Sequence, residues 1–174
     1  AQKFRLPQTF PHSLPSIIQT ALPAGRRERR RITSFEARGK GHRCDKRRNA
    51  EIKSQTEDRV SFVVTFAEGW VTSYEERSYY NLDFTENRDL TLRDFLGDDW
   101  AALCNQAIEK QIEESRDADG FTLFFAPDQG GFTTVDESTS FYVREDGAVV
   151  VCFPKYSIAA GAAGNVEFVV EREA

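Results

Sequence analysis

The chain has 174 residues, 40% of them hydrophobic and 12% aromatic, with a formal net charge of −5. That length and apolar content suit one folded domain with a real core plus an appendage. No apolar run approaches the roughly eighteen residues of a membrane-spanning helix, and no signal-peptide pattern is present. There is no Met at all, so Ala1 reads as the start of a trimmed or processed chain, which leaves room for an anchor upstream. The charge is uneven. Residues 1–55 carry 14 Lys/Arg against 4 Asp/Glu, and residues 56–174 carry 9 against 24. A basic arm is thus joined to an acidic domain, and an acidic domain favours encounter with a basic partner.

In chain order, Pro7, Pro11, Pro15 and Pro23 keep the first stretch extended, with one short apolar helix predicted at Ser16–Leu22. Residues 26–48 hold eleven Lys/Arg and no hydrophobic period, which predicts an irregular basic arm. From Val60 the texture changes. Val60–Phe66 is β-branched and aromatic, Ala67-Glu68-Gly69 is a turn signal, and Trp70–Tyr74 and Tyr79–Phe84 continue as strand. Thr91-Leu92-Arg93-Asp94 opens a short helical turn that Gly97 closes. Asp98 and Asp99 cap a longer helix, in which Trp100, Leu103, Cys104, Ala107, Ile108 and Ile112 recur at spacings of three and four. Asp119-Gly120 stops it, and Phe121–Phe125 reads as a further strand.

The last third organises the rest. Phe141-Tyr142-Val143 and Ala148–Phe153 flank Arg144–Gly147, where a glycine can take the positive φ of a tight turn. The second run is apolar on both strand faces, which predicts a central strand covered on each side. Pro154 ends the pairing, Ser157–Gly164 is small and glycine-punctuated, and Val166–Val170 is a closing strand. The expected fold is α+β, an antiparallel sheet packed against one main helix and preceded by the basic arm. The expected division is a proline-containing and basic segment at 1–57 and an α+β domain at 58–174.

Several segments together resemble the C-terminal extracytoplasmic domain of the RsiV-type anti-sigma factors. They are Tyr79–Asp83, Leu90–Gly97, Cys104–Ile108, Phe141-Tyr142, and Phe153–Ala159 with Gly164 and Glu167-Phe168. Their order and spacing match over roughly residues 58–174. The lead-in before residue 58 departs from the family, whose members carry a shorter and less basic one. The resemblance implies a receptor rather than an enzyme. It implies an extracytoplasmic location, a membrane-anchored parent, and a protein ligand such as lysozyme. Related domains accompany peptidoglycan deacetylases, which opens an alternative: a wall- or carbohydrate-binding accessory module, with Trp70, Trp100 and Tyr79-Tyr80 as stacking candidates.

The residue inventory does not encourage catalysis. His12 and His42 are the only histidines, and His42-Arg43-Cys44 lacks a second ligand pair for zinc. Asp117–Gly120 lacks the ligand series and closing Glu of a calcium loop. The carboxylate pairs Asp98/Asp99, Glu113/Glu114 and Asp136/Glu137 show no sign of facing one another across a cleft, as glycoside hydrolysis requires. No nucleophile elbow, phosphate loop or dinucleotide fingerprint occurs. No cofactor is expected. The basic arm nearly lacks the interleaved aromatics of a nucleic-acid binder, which argues against such a partner. Cys44, Cys104 and Cys152 form no CxxC and do not fix the compartment. The expected partner-binding residues are Phe153, Lys155, Tyr156, Ser157, Ile158, Gly161 and Gly164.

Overall fold

The computed structural model describes residues 34–41, 44–69 and 73–171. Among these residues, eight strands form two antiparallel sheets. The first holds β1 (Ser34–Gly41), β2 (Cys44–Gln55), β3 (Arg59–Gly69), β4 (Ser73–Asp83) and the two-residue β5 (Arg88–Asp89), in that order. The second holds β6 (Ser140–Val143), β7 (Val149–Phe153) and β8 (Val166–Val170), with β7 in the middle. Helices α1 (Leu92–Leu96) and α2 (Trp100–Glu114) lie between the sheets in sequence. The α+β class stands, with two sheets in place of one.

Strand alternation assigns the layers. One face of the second sheet contributes Phe141, Val143, Val149, Val151, Phe168 and Val170 to a core shared with Leu92, Leu96, Cys104 and Ile108 of the helices. The opposite face contributes Tyr142, Val150 and Cys152, which pack with Val63 of β3 and with the half-buried Tyr79 and Val169. The three-stranded sheet therefore lies between the helices and the larger sheet. The doubly apolar β7 is covered on both sides, as its sequence requires. At about 25 cal/mol per Å² of apolar surface removed from water, these buried Val and Phe side chains supply most of the drive to fold.

Local signals account for several elements. The β6–β7 hairpin turns through Arg144–Gly147, with Gly147 at φ +87°. Asp94 ties the start of α1, accepting from the Thr91 backbone N–H at 2.7 Å and from its hydroxyl at 2.9 Å. Gly97 ends α1 at φ +82°. Helix α2 buries Cys104 and Ile108 completely, with Trp100, Leu103, Ala107 and Ile112 packed against the same core. Asp99 occupies its N-cap without a side-chain capping bond. The helix ends at Ser115, before the Asp117–Gly120 turn.

Three expectations are corrected. The basic arm is not irregular where it is described: residues 34–41 and 44–48 belong to β1 and β2. Backbone pairing holds them, β2 onto β3 and β1 onto β2, so no hydrophobic period was needed to specify them. Second, β3 and β4 form one long hairpin, running through Ala67–Gly69 on one side and the polar Glu75–Ser78 on the other. Third, Phe121–Phe125 is not a ladder strand. Its pairing is a single bridge, Phe124 to Ala159, because Pro127 has no N–H to continue it and a 3-10 turn begins there. The helix predicted at Ser16–Leu22, both histidines and Trp70 lie outside the described residues.

Candidate functional site

Residues 154–165 connect β7 to β8 and, with Phe153 at the end of β7, carry the expected contact residues. The structure divides them. Phe153 is half-buried, with its ring edge-on to Phe132 at 5.7 Å and to Phe168 at 5.9 Å. Ile158 is buried in the main core, and its carbonyl accepts the Phe125 N–H at 3.0 Å. These two residues fix the base of the loop, and buried Ile158 is not available to a partner without unfolding it. Lys155, Tyr156 and Ser157 are exposed. Gly161 is half-buried at the start of a 3-10 turn, and Gly164 follows it at φ +70°.

Tyr156 is the most unusual residue of the loop. It is 67% exposed and sits at φ +71°, a left-handed conformation that a bulky residue rarely adopts. Its ring lies on the backbone of Gly161, where an added β-carbon would stand 2.1 Å from Cε1 and 2.4 Å from Cζ. The Lys155 ammonium stands 5.0 Å from the centroid of the same ring, within cation–π range. Asn165 Oδ1 accepts the Lys155 backbone N–H at 2.9 Å, and Asn165 Nδ2 donates to Glu75 at 3.3 Å. Asn165 thus ties the backbone beside the tip, and the exposed ring rests between Gly161 and Lys155.

Sequence reasoning missed the segment beside this loop. Phe121 is 64% and Leu123 39% exposed, while Phe124 packs inward on Phe168 at 5.6 Å. Ala160 N–H donates to the Leu123 carbonyl at 2.8 Å. An apolar run of this kind gives no sign, in sequence, of which members face water.

The remaining candidates are structural. Tyr79 and Tyr142 stack at 6.2 Å between the sheets, and burial raises both phenols far above their ordinary range. Trp100 packs on the main core, and half-buried Tyr80 stacks on Phe62 at 4.9 Å. All three expected stacking residues, Tyr79, Tyr80 and Trp100, are half-buried and packed on the cores. Glu113 is paired with Arg116 at 2.7 Å, Glu114 with Lys110 at 3.9 Å and Asp98 with Arg93 at 3.8 Å. Asp136 is occupied by Ser138 and Thr139, whose hydrogen bonds lower its pKa. Among the described residues no group of three His, Cys, Asp or Glu is placed to hold a metal ion. No described helix is long and apolar enough to cross a membrane. A cleft of about 410 Å³ opens between the sheets, with Val60, Leu90, Phe95 and Val143 in its lining. Its two arginines are already paired, Arg59 with Asp83 and Arg144 with Asp146.

A family model described as a protein of unknown function, DUF3298, matches residues 88–173. Over 123 residues the chain is 25% identical to the anti-sigma-V factor RsiV of Bacillus subtilis strain 168, covering 69% of this chain and 43% of RsiV. The chain therefore spans less than half the length of that curated relative. A solved DUF3298 family structure from Bacteroides fragilis NCTC 9343 is similar over 79% of this chain and 51% of that one, at TM-score 0.49 and 16% identity. Another, from Pseudomonas aeruginosa PAO1, covers 70% of this chain and 55% of that one, at TM-score 0.42 and 20% identity. Residues 88–173, from β5 through β8, match the DUF3298 family model, in a chain similar to the RsiV anti-sigma factor.

Proposed function

We propose that this chain is a non-catalytic, extracytoplasmic ligand-sensing domain that binds a protein partner through the loop after β7, in a parent protein anchored to the membrane. The similarity to an anti-sigma factor supports a regulatory, protein-interacting role. The observation that carries the reading is Tyr156, 67% exposed and held in a left-handed conformation at the tip of a loop whose base is core. Lys155, Ser157, Gly161 and Gly164 shape the contact surface around it, while Phe153 and Ile158 anchor it. Residues 56–174 carry 24 Asp/Glu against 9 Lys/Arg, which favours a basic partner, with lysozyme as the leading candidate.

The test is calorimetric titration of hen-type lysozyme into the chain at moderate and at high salt, with Tyr156→Ala alongside. Saturable one-to-one binding that survives high salt and weakens at least tenfold in Tyr156→Ala supports the proposal. Heat seen only at low salt is unspecific attraction between opposite charges. That result would move the wall-binding module ahead, and retention on isolated peptidoglycan would then be its test.

A further inference from the structure

We infer that the partner surface is composite: Phe121 and Leu123, in the segment that follows α2, form its second half. This rests on the protein-binding reading above and extends it to residues far from the loop in sequence. Among the described residues, the three exposed large hydrophobic side chains are Phe121, Leu123 and Tyr156. They are not scattered singly, as ordinary surface apolar residues are. The 121–125 segment lies antiparallel along 158–160, bonded through Phe125 N–H to Ile158 O at 3.0 Å and Ala160 N–H to Leu123 O at 2.8 Å. Leu123 is therefore opposite Ala160, one residue from the Gly161 backbone on which the Tyr156 ring rests.

The segment is also held in place. Asp117 Oδ1 accepts the backbone N–H groups of Asp119 at 3.0 Å and Phe121 at 2.8 Å. Ser115 and Thr122 hydroxyls are 2.9 Å apart, and Phe124 is packed inward. Phe121 and Leu123 face water because their neighbours are tied down, not because the segment has lost its packing. The exposed carboxylates Asp117, Asp119 and Asp128 border this stretch; Arg116, bonded to the Gly120 carbonyl at 3.3 Å, is paired with Glu113, and Lys155 is drawn over Tyr156. An apolar centre with an acidic rim fits a basic protein that presents a shallow apolar cluster ringed by Lys or Arg. Apolar anchors supply the affinity of such a contact and the rim charges its association rate.

The experiment titrates hen-type lysozyme into the whole chain as wild type, Phe121→Ser/Leu123→Ser and Tyr156→Ala, with circular dichroism and thermal unfolding confirming each fold. Both substituted side chains already face water, so the double variant is expected to unfold at the wild-type temperature. A composite surface predicts at least a tenfold loss of affinity in both variants. Wild-type affinity in Phe121→Ser/Leu123→Ser with a loss in Tyr156→Ala overturns the composite surface and leaves the loop reading intact. No binding by the wild type overturns both. If the double variant loses its fold, Leu123→Lys replaces it, with a tenfold loss expected from the repelled basic partner and unchanged affinity counting against the surface.

Discussion

The side-chain amide of Asn81 donates to the backbone carbonyl of Phe141 at 2.9 Å, across sixty residues of sequence. Its own oxygen accepts from Ser61 Oγ at 2.7 Å, and Ser61 in turn accepts the Val143 N–H at 2.8 Å. Strand β6 pairs with β7 on one side only, so these two buried side chains of the larger sheet satisfy its open edge. At the other edge Gln111 of α2 does the same for Val169, donating to its carbonyl at 2.9 Å and accepting its N–H at 3.2 Å. A three-stranded sheet with both edges stopped by side chains offers little template for pairing with another chain.

Asn81→Ala is expected to cost about 1–3 kcal/mol, because it leaves the Phe141 carbonyl and the Ser61 hydroxyl short of partners in a buried site. Urea denaturation should show a lower midpoint at unchanged slope. Gln111→Ala, at a half-buried edge, should cost about 1 kcal/mol and raise concentration-dependent self-association in analytical ultracentrifugation. An unchanged midpoint for Asn81→Ala would mean that the edge is satisfied by other means.

Cys104 and Cys152 should be inert in the folded chain. Cys104 is fully buried and Cys152 is 2% exposed, and burial pushes their thiols up to about 11 and about 12. A thiol attacks as its thiolate, and that form is scarce here at neutral pH. In a Cys44→Ser background, labelling by an aromatic disulfide reagent at pH 8 should therefore proceed only as fast as the chain unfolds. Rapid labelling of either residue would contradict the packing of β7 on α2 and β3.

Acid should weaken the start of α1. Arg88 grips Asp94 through two hydrogen bonds of 2.8 and 2.9 Å, and Thr91 adds two more. Arg88 is the largest cause holding the Asp94 carboxyl well below the ordinary aspartate value. A depressed folded pKa contributes stability that is complete above the unfolded value of about 3.9 and is lost as pH falls through the folded one. Asp94→Asn should thus be less stable than the wild type by about 1 kcal/mol at pH 7, with the gap closing as pH falls below about 4. A gap that stays constant between pH 7 and pH 3 would show that the charge on Asp94 is not what matters.

How far the fold is legible in sequence depends on where each element's information lies. The β6–β7 hairpin is local: two apolar runs, an Asp146-Gly147 turn and a proline stop. Helix α2 is likewise local, because its stripe repeats on the helical period. β1 and β2 carry no such pattern, since their place comes from backbone pairing, β2 with β3 and β1 with β2. Asn81 and Gln111 look like ordinary polar residues on a strand and a helix, and their role exists only once β6 and β8 are brought beside them. The same limit applies to the loop. Ile158 and Tyr156 are both apolar members of one segment, yet the first is in the core and the second in water. That choice is made by Phe125 and Gly161, which lie 33 and 5 residues away.

Gly161→Ala offers the sharpest separation between folding and binding. The half-buried glycine does not need a left-handed φ, so alanine fits its backbone. The new methyl would instead meet the Tyr156 ring, with 2.1 Å between the added carbon and Cε1, far inside contact distance. Tyr156 is exposed, so its ring can swing outward without disturbing Ile158 or Phe153 beneath it. Thermal unfolding is expected within about 0.5 kcal/mol of wild type, as for a surface substitution. Affinity for a partner that reads the ring in place should fall at least tenfold, close to the loss in Tyr156→Ala. Should Gly161→Ala bind like the wild type while Tyr156→Ala does not, the ring acts from more than one position, and its rest on Gly161 is a packing detail. Should both bind like the wild type, Tyr156 lies outside the contact, and the protein-binding loop is elsewhere.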